Sequence, residues 1–135
     1  MTTDALLKAH PSAVLVGASV LHGVGWITQI PQRVTVAVLS QARYVVDING
    51  VDIVGRPHSW YAAIHGRLSD DDNLAAYGLP ALTPALALAD AYAFRDRWIP
   101  DPDDLYLDDA DLVEIAEACR ILGVPVPDLR LATAR

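Results

Sequence analysis

Valines at 34, 36 and 38 alternate with Thr35 and Ala37, and this period of two predicts a half-buried strand over 33–39. A turn at Gln41-Ala42 leads to a second strand over 43–48. Asn49-Gly50 then supplies the left-handed backbone of a two-residue hairpin, so 51–54 is expected to return antiparallel to 43–48. Gly55, Arg56 and Pro57 interrupt the alternation, and 59–66 fits a strand and a helical turn equally well. Residues 79–83 read as a short edge strand.

The other apolar residues follow a helical period. Residues 4–9 fit a short helix, closed at His10-Pro11 because proline disfavours helix in the residue before it. Pro11 and Ser12 suit the start of a second helix running to about His22, with Gly23 as its left-handed stop. Ala13, Gly17, Ala18 and Leu21 share one face of it and allow close backbone approach. Thr83 as cap and Pro84 at the first helical position open a helix over 84–96. Asp108 or Asp109 caps a last helix to Leu122, with a stripe of Leu112, Ile115, Ala116, Cys119 and Leu122 and with Gly123 as its stop. The expected architecture is one α+β domain over 1–135, its core spanning about 11–123 and its Pro-rich tail over 124–135 extended. A small, mainly antiparallel sheet carries packed helices.

Composition narrows the function classes. More than half the residues are apolar, enough for a core at 135 residues. A net charge of -7 repels phosphate backbones, so general electrostatic attraction to DNA is not expected. The charges are almost all Arg and Asp, with Lys8 the one lysine. Asp favours caps and turns, so many carboxylates are expected at corners. The lone Cys119 excludes an internal disulfide and a multi-cysteine metal site, and suits a reducing cytoplasm. The longest apolar stretch, 13–21, is too short to span a bilayer, and with only Lys8 before it a secretory signal is not expected.

Catalytic, cofactor and metal motifs are weak. His10, His22, His58 and His65 form no i, i+4 ligand pair. Ser19 and His22 are three apart, but a nucleophile–base pair needs an orienting acid and an oxyanion hole; close helix packing for Ser19 and a bond from His22 to a loop carbonyl near the helix end are the simpler reading. The acidic run 101–111 lacks the glycine and bidentate acid of a calcium loop, and reads as a loop followed by a helix-capping cluster. Gly17, Gly23 and Gly25 have the wrong spacing for a dinucleotide fingerprint. Asp90 shares a helix face with Leu86 and Phe94, so it is expected to be a structural buried acid with Arg33 or Arg56 as partner. Trp26, Trp60, Tyr61 and Trp98 are a heavy aromatic load for loops and element ends, and Trp and Arg are favoured at interfaces. Trp26, Gln29, Arg33, Arg56 and Trp60 are therefore the candidate partner-binding residues, with Trp26 the leading exposed contact.

Ser12-Ala13, Ser19-x-x-His22-Gly23, Gln29-Ile-Pro31 and the following Val-rich strand resemble AbiEi-family antitoxins of type IV toxin–antitoxin systems. The segment Leu82-Thr83-Pro84-Ala85-x-x-Leu88-Ala-Asp90 resembles that family's strand, Thr-Pro and helix element with its acid. The likeness covers 12–90. It implies an antitoxin-type partner-binding domain, without the winged-helix DNA-binding domain that usually precedes it. It also implies a nucleotidyltransferase-like toxin as partner, antagonised directly or indirectly.

The resulting expectation is a non-enzymatic, cytoplasmic interaction domain without cofactor or metal. Its acidic face, with Asp101, Asp103 and Asp104, would oppose a basic partner. Two alternatives stand beside it. One is a transcription-regulator remnant touching DNA through Arg33, Arg43 and Arg56; the other is a small enzyme built on His22, His58 or Asp90.

Overall fold

The alternating segment at the centre of the chain becomes an inner strand of a four-stranded sheet. A computed structural model describes residues 3–129 apart from 43, 49, 72–73, 75–76 and 97. The strands are β1 (Val14–Val16), β2 (Val34–Leu39), β3 (Val45–Ile48) and β4 (Val51–Arg56), in the order β1-β2-β4-β3. β1 with β2 and β3 with β4 are antiparallel, whereas β2 and β4 are parallel. The hairpin at Gly50, with φ +83°, places β3 outside β4, so β4 runs beside β2 in the same direction. The fold is thus α+β with a mixed sheet, two of its three pairings antiparallel. Asn49 and Arg43 lie outside the described residues.

The expected long second helix divides in two. Val14, Leu15 and Val16 form β1, which is held on its outer side by Leu15 N–H donating to Pro80 O (2.7 Å) and Leu82 N–H donating to Leu15 O (3.1 Å). Apolar runs of this length cannot be assigned by periodicity alone. Helix α2 (Ala18–Gly23) begins only after Gly17, whose φ of +74° is a conformation that side chains with a Cβ resist. Gly23 lies in the helix and is not its left-handed stop; a Cβ there would stand 2.6 Å from Leu74 Cδ2.

Helix α1 (Thr3–Ala9) precedes β1, and α3 (His58–Ile64) follows Pro57, resolving the ambiguity of 59–66. Helix α4 (Pro84–Phe94) opens on Thr83, whose Oγ1 accepts from Leu86 N–H at 3.3 Å, and closes on Arg95 at φ +50°. Helix α5 (Asp109–Leu122) has a reciprocal cap: Asp111 N–H donates to Asp108 (2.8 Å) and Asp108 N–H donates to Asp111 (3.0 Å). Its buried face is Ile115, Ala118 and Cys119, while Ala116 of the expected stripe is exposed. α5 packs on α3 and α4, and α2 packs on α4. Leu129 is buried, so the tail is tied to the core at least that far.

Both faces of the sheet are covered. Val36, Val38 and Ile53 pack with Leu6 of α1 on one side. Val14, Val16, Ala37 and Val54 join the larger core with the remaining helices. The valine side of β2 therefore faces the thin layer, and its Thr/Ala side faces the thick one. Gly55 and Arg56, expected to break the pattern, are the buried end of β4. A Cβ on Gly55 would fall 2.1 Å from Ala42 O, so only glycine lets the β2–β3 connection cross there.

Candidate functional site

Asp52, Val54 and Arg56 alternate along β4 and so share the face that looks at α4. Two of the three are charged, and both are buried. A charge removed from water needs an opposite charge and hydrogen bonds, and the chain supplies both from distant elements.

Arg56 is fully buried. Its Nε donates to Asp90 Oδ1 (3.1 Å) and its Nη2 to Asp90 Oδ2 (3.0 Å), the two-pronged geometry of a guanidinium on a carboxylate. Nη2 also reaches Asp96 (2.6 Å), and Nη1 donates to Gly55 O (3.2 Å). The guanidinium carbon stands 3.8 Å from the centre of the Phe94 ring. Trp60 Nε1 donates to Asp90 Oδ1 at 2.8 Å. Asp90 is 2% exposed. Burial pushes its carboxyl above the ordinary range, and the Arg56 and Trp60 donors pull it part of the way back. Of the two arginines expected for Asp90, the structure selects Arg56.

Arg33 serves a second pair. Its Nε donates to Asp52 at 3.0 Å, and the guanidinium also pairs with Asp47 on β3. Hydrogen bonds to Asp52 and then to Asp47 hold Arg33 above the ordinary arginine value. Thr35, Asp52 and Asp47 are register partners across β2, β4 and β3, which is why one side chain spans them.

Beside the Arg33 network lies a cleft of about 280 Å³, lined by Ala18, residues 29–33, Thr35, Asp52 and Trp98. A small cavity of about 20 Å³ continues it inward past Gly17 to Asp90 and Asp96. One wall is the 26–33 loop, held from 75 residues away. Both oxygens of Asp104 accept from Thr28 N–H (3.1 Å), Gln29 N–H donates at 2.9 Å, and the Thr28 hydroxyl adds a further bond. Tyr106 N–H donates to Trp26 O at 2.9 Å.

The five candidate contact residues separate. Gln29 is exposed and Arg33 half-buried, and both line the cleft. Trp26 is 7% exposed and belongs to the main core, so it is not the exposed contact expected of it. Arg56 and Trp60 are likewise interior, because the Asp90 carboxylate holds both. Arg33 and Arg56 are engaged by carboxylates, and Arg43 lies outside the described residues. The acidic run is turned to backbone amides: Asp101 caps Asp103, Asp104 clamps the loop, and Asp108 and Asp111 cap α5. Reversing Asp104 would break that clamp as well as alter charge.

Ser19 is buried in α2 and His22 half-buried, while His58 and His65 are exposed on and just after α3. Among the described residues no three His, Cys, Asp or Glu side chains gather where they could hold a metal ion, and no helix is long and apolar enough to cross a membrane. Asp52, Asp96 and Thr35 are the site residues that motif reasoning misses, and Trp98, noted among the aromatics, is not among the chosen contacts. The period of two in β4 is the signal that could have found Asp52, since it puts Asp52 and Arg56 beside Val54. The chain matches no family model, no curated protein and no solved structure.

Proposed function

We propose that this chain is an antitoxin-like protein-interaction domain that neutralises a nucleotidyltransferase-like toxin, by direct contact or indirectly. The observation that carries the reading is how the polar residues are used. Arg56, Asp90, Asp96 and Trp60 satisfy one another inside the helix–sheet interface, and Arg33, Asp47 and Asp52 do so at its edge. Such saturated networks rigidify a scaffold. The segments that resemble the antitoxin family also belong to one packed unit: α2 lies on α4, and Thr83 and Pro84 open the helix that carries Asp90. The cleft wall at 29–33 is then the part of this unit offered to a partner.

The test is co-expression with the product of the adjacent gene, scoring growth rescue and co-purification. Rescue with a stable complex is the expected result for direct action, and rescue without one for indirect antagonism. No rescue from a neighbour that is itself toxic would overturn the reading.

A further inference from the structure

Ile30 is 74% exposed, the highest value among the described large apolar side chains, yet it sits on a loop anchored by bonds to Asp104 and Tyr106. The Asp104 carboxylate binds the two residues just before it, and Pro31 restricts the backbone just after it. A mobile loop would have to be ordered before its side chain could be used; this one is held in advance. Preorganisation of that kind removes much of the entropic cost of association. Ile30 and the half-buried Trp98 both line the same cleft, so an exposed aliphatic group shares it with an aromatic one.

The charge around this relief is net negative. Asp52 lines the cleft, Asp90 and Asp96 line its inner cavity, and Asp47 and Asp104 bond the residues of its walls, against Arg33 and Arg56. Arg33 is shared between Asp47 and Asp52 and Arg56 between Asp90 and Asp96, so two cations answer four carboxylates and the excess charge is negative. A basic partner is drawn to such a rim, and an acidic partner or a nucleic acid is repelled.

Resting on the partner-binding reading above, we propose that Ile30 and the cleft between it and Trp98 form the docking surface. Its occupant is a basic segment of a partner protein that inserts one apolar side chain against Trp98 and sets Lys or Arg on the acidic rim. The socket selects the apolar group, and the rim selects the charge.

The experiment titrates three synthetic peptides into the isotope-labelled full chain and follows amide and indole resonances. One peptide carries a Leu-Trp-Leu centre flanked by lysines, one replaces the lysines by glutamates, and one replaces the apolar centre by serines. Shifts confined to Ile30, the Trp98 indole N–H and the Gln29 and Gln32 amides are expected with the first peptide alone. They should weaken about tenfold in Ile30→Asp or Trp98→Ala, and fade as salt shortens the screening length. Ile30 is exposed, so its variant should keep the dispersion of the native spectrum. Equal response to the glutamate peptide would overturn the proposal. So would shifts centred on the groove of about 450 Å³ beside Val113, between α4 and α5. A dimer that Ile30→Asp converts to monomer would assign the surface to a second copy and likewise overturn it.

The growth assay separates this proposal from the reading beneath it. Wild-type rescue that Ile30→Asp abolishes supports both. Wild-type rescue that Ile30→Asp retains overturns the surface and leaves the antitoxin reading standing. Failure of the wild type to rescue overturns that reading, while the titration still decides whether the surface takes a basic segment.

Discussion

A single carboxylate, Asp90, decides how β4, α3 and α4 meet, because it accepts from Arg56 and Trp60 at once. Removing one member of a buried pair leaves the other charge without compensation, a loss of about 3–5 kcal/mol. Asp90→Ala and Arg56→Ala are therefore expected to lower urea-unfolding stability by amounts of that order. The double variant Arg56→Met/Asp90→Leu should recover much of it, since apolar replacement of a buried pair is often neutral or better. If the single variants unfold like the parent, the pair does not hold the interface. Tyr61 offers a pH test. Its hydroxyl donates to Ser12 O (2.7 Å), with Ala37 O at 3.1 Å, and burial pushes its phenol from 10 up to about 12. The folded state holds that proton more tightly than the unfolded state does. Its contribution is thus complete below pH 10 and lost as pH rises towards 12. Tyr61→Phe should lower stability at pH 8 by about 1 kcal/mol and show a shallower alkaline decline; an unchanged decline would remove Tyr61 from this role.

At the scale of elements, caps and turns carry the order. Asp108→Ala removes a reciprocal cap and is expected to cost about 1 kcal/mol, read as a lower urea midpoint. Asp104→Ala tests the loop clamp: exchange of the Thr28 and Gln29 amides should accelerate, while amides in β2 and β4 keep their protection. Equal protection of the loop in that variant would show that something other than Asp104 orders it. Most of these devices are legible in the chain, because Thr83-Pro84, Asp108, Asn49-Gly50 and Gly123 act through their immediate neighbours. β1 is not legible in the same way. Val14, Leu15 and Val16 become a strand because β2 pairs on one side and 80–82 on the other, and both partners are remote in sequence. The role of Asp104 is hidden for the same reason, since its acceptors face a loop 75 residues away.

Across the whole molecule, the sheet is packed on both faces, by α1 on one and by α2 and α4 on the other, with α5 behind α4. One cooperative unit is expected, so urea unfolding followed by tryptophan fluorescence and by far-ultraviolet circular dichroism should coincide in a single transition. Two separated transitions would mean that the α1 side melts independently. The amino-acid sequence by itself determined the α+β class, the β3–β4 hairpin, the caps of α4 and α5, and the burial of an acid on α4. These rest on local periodicity and on residues that act within a few positions of themselves. Only the tertiary structure decided that β2 and β4 run parallel and that Arg56 rather than Arg33 answers Asp90. It also decided that Trp26 turns inward while Ile30 stays out. Each of those outcomes depends on which distant surfaces meet, and spacing along the chain does not encode which remote partners those are.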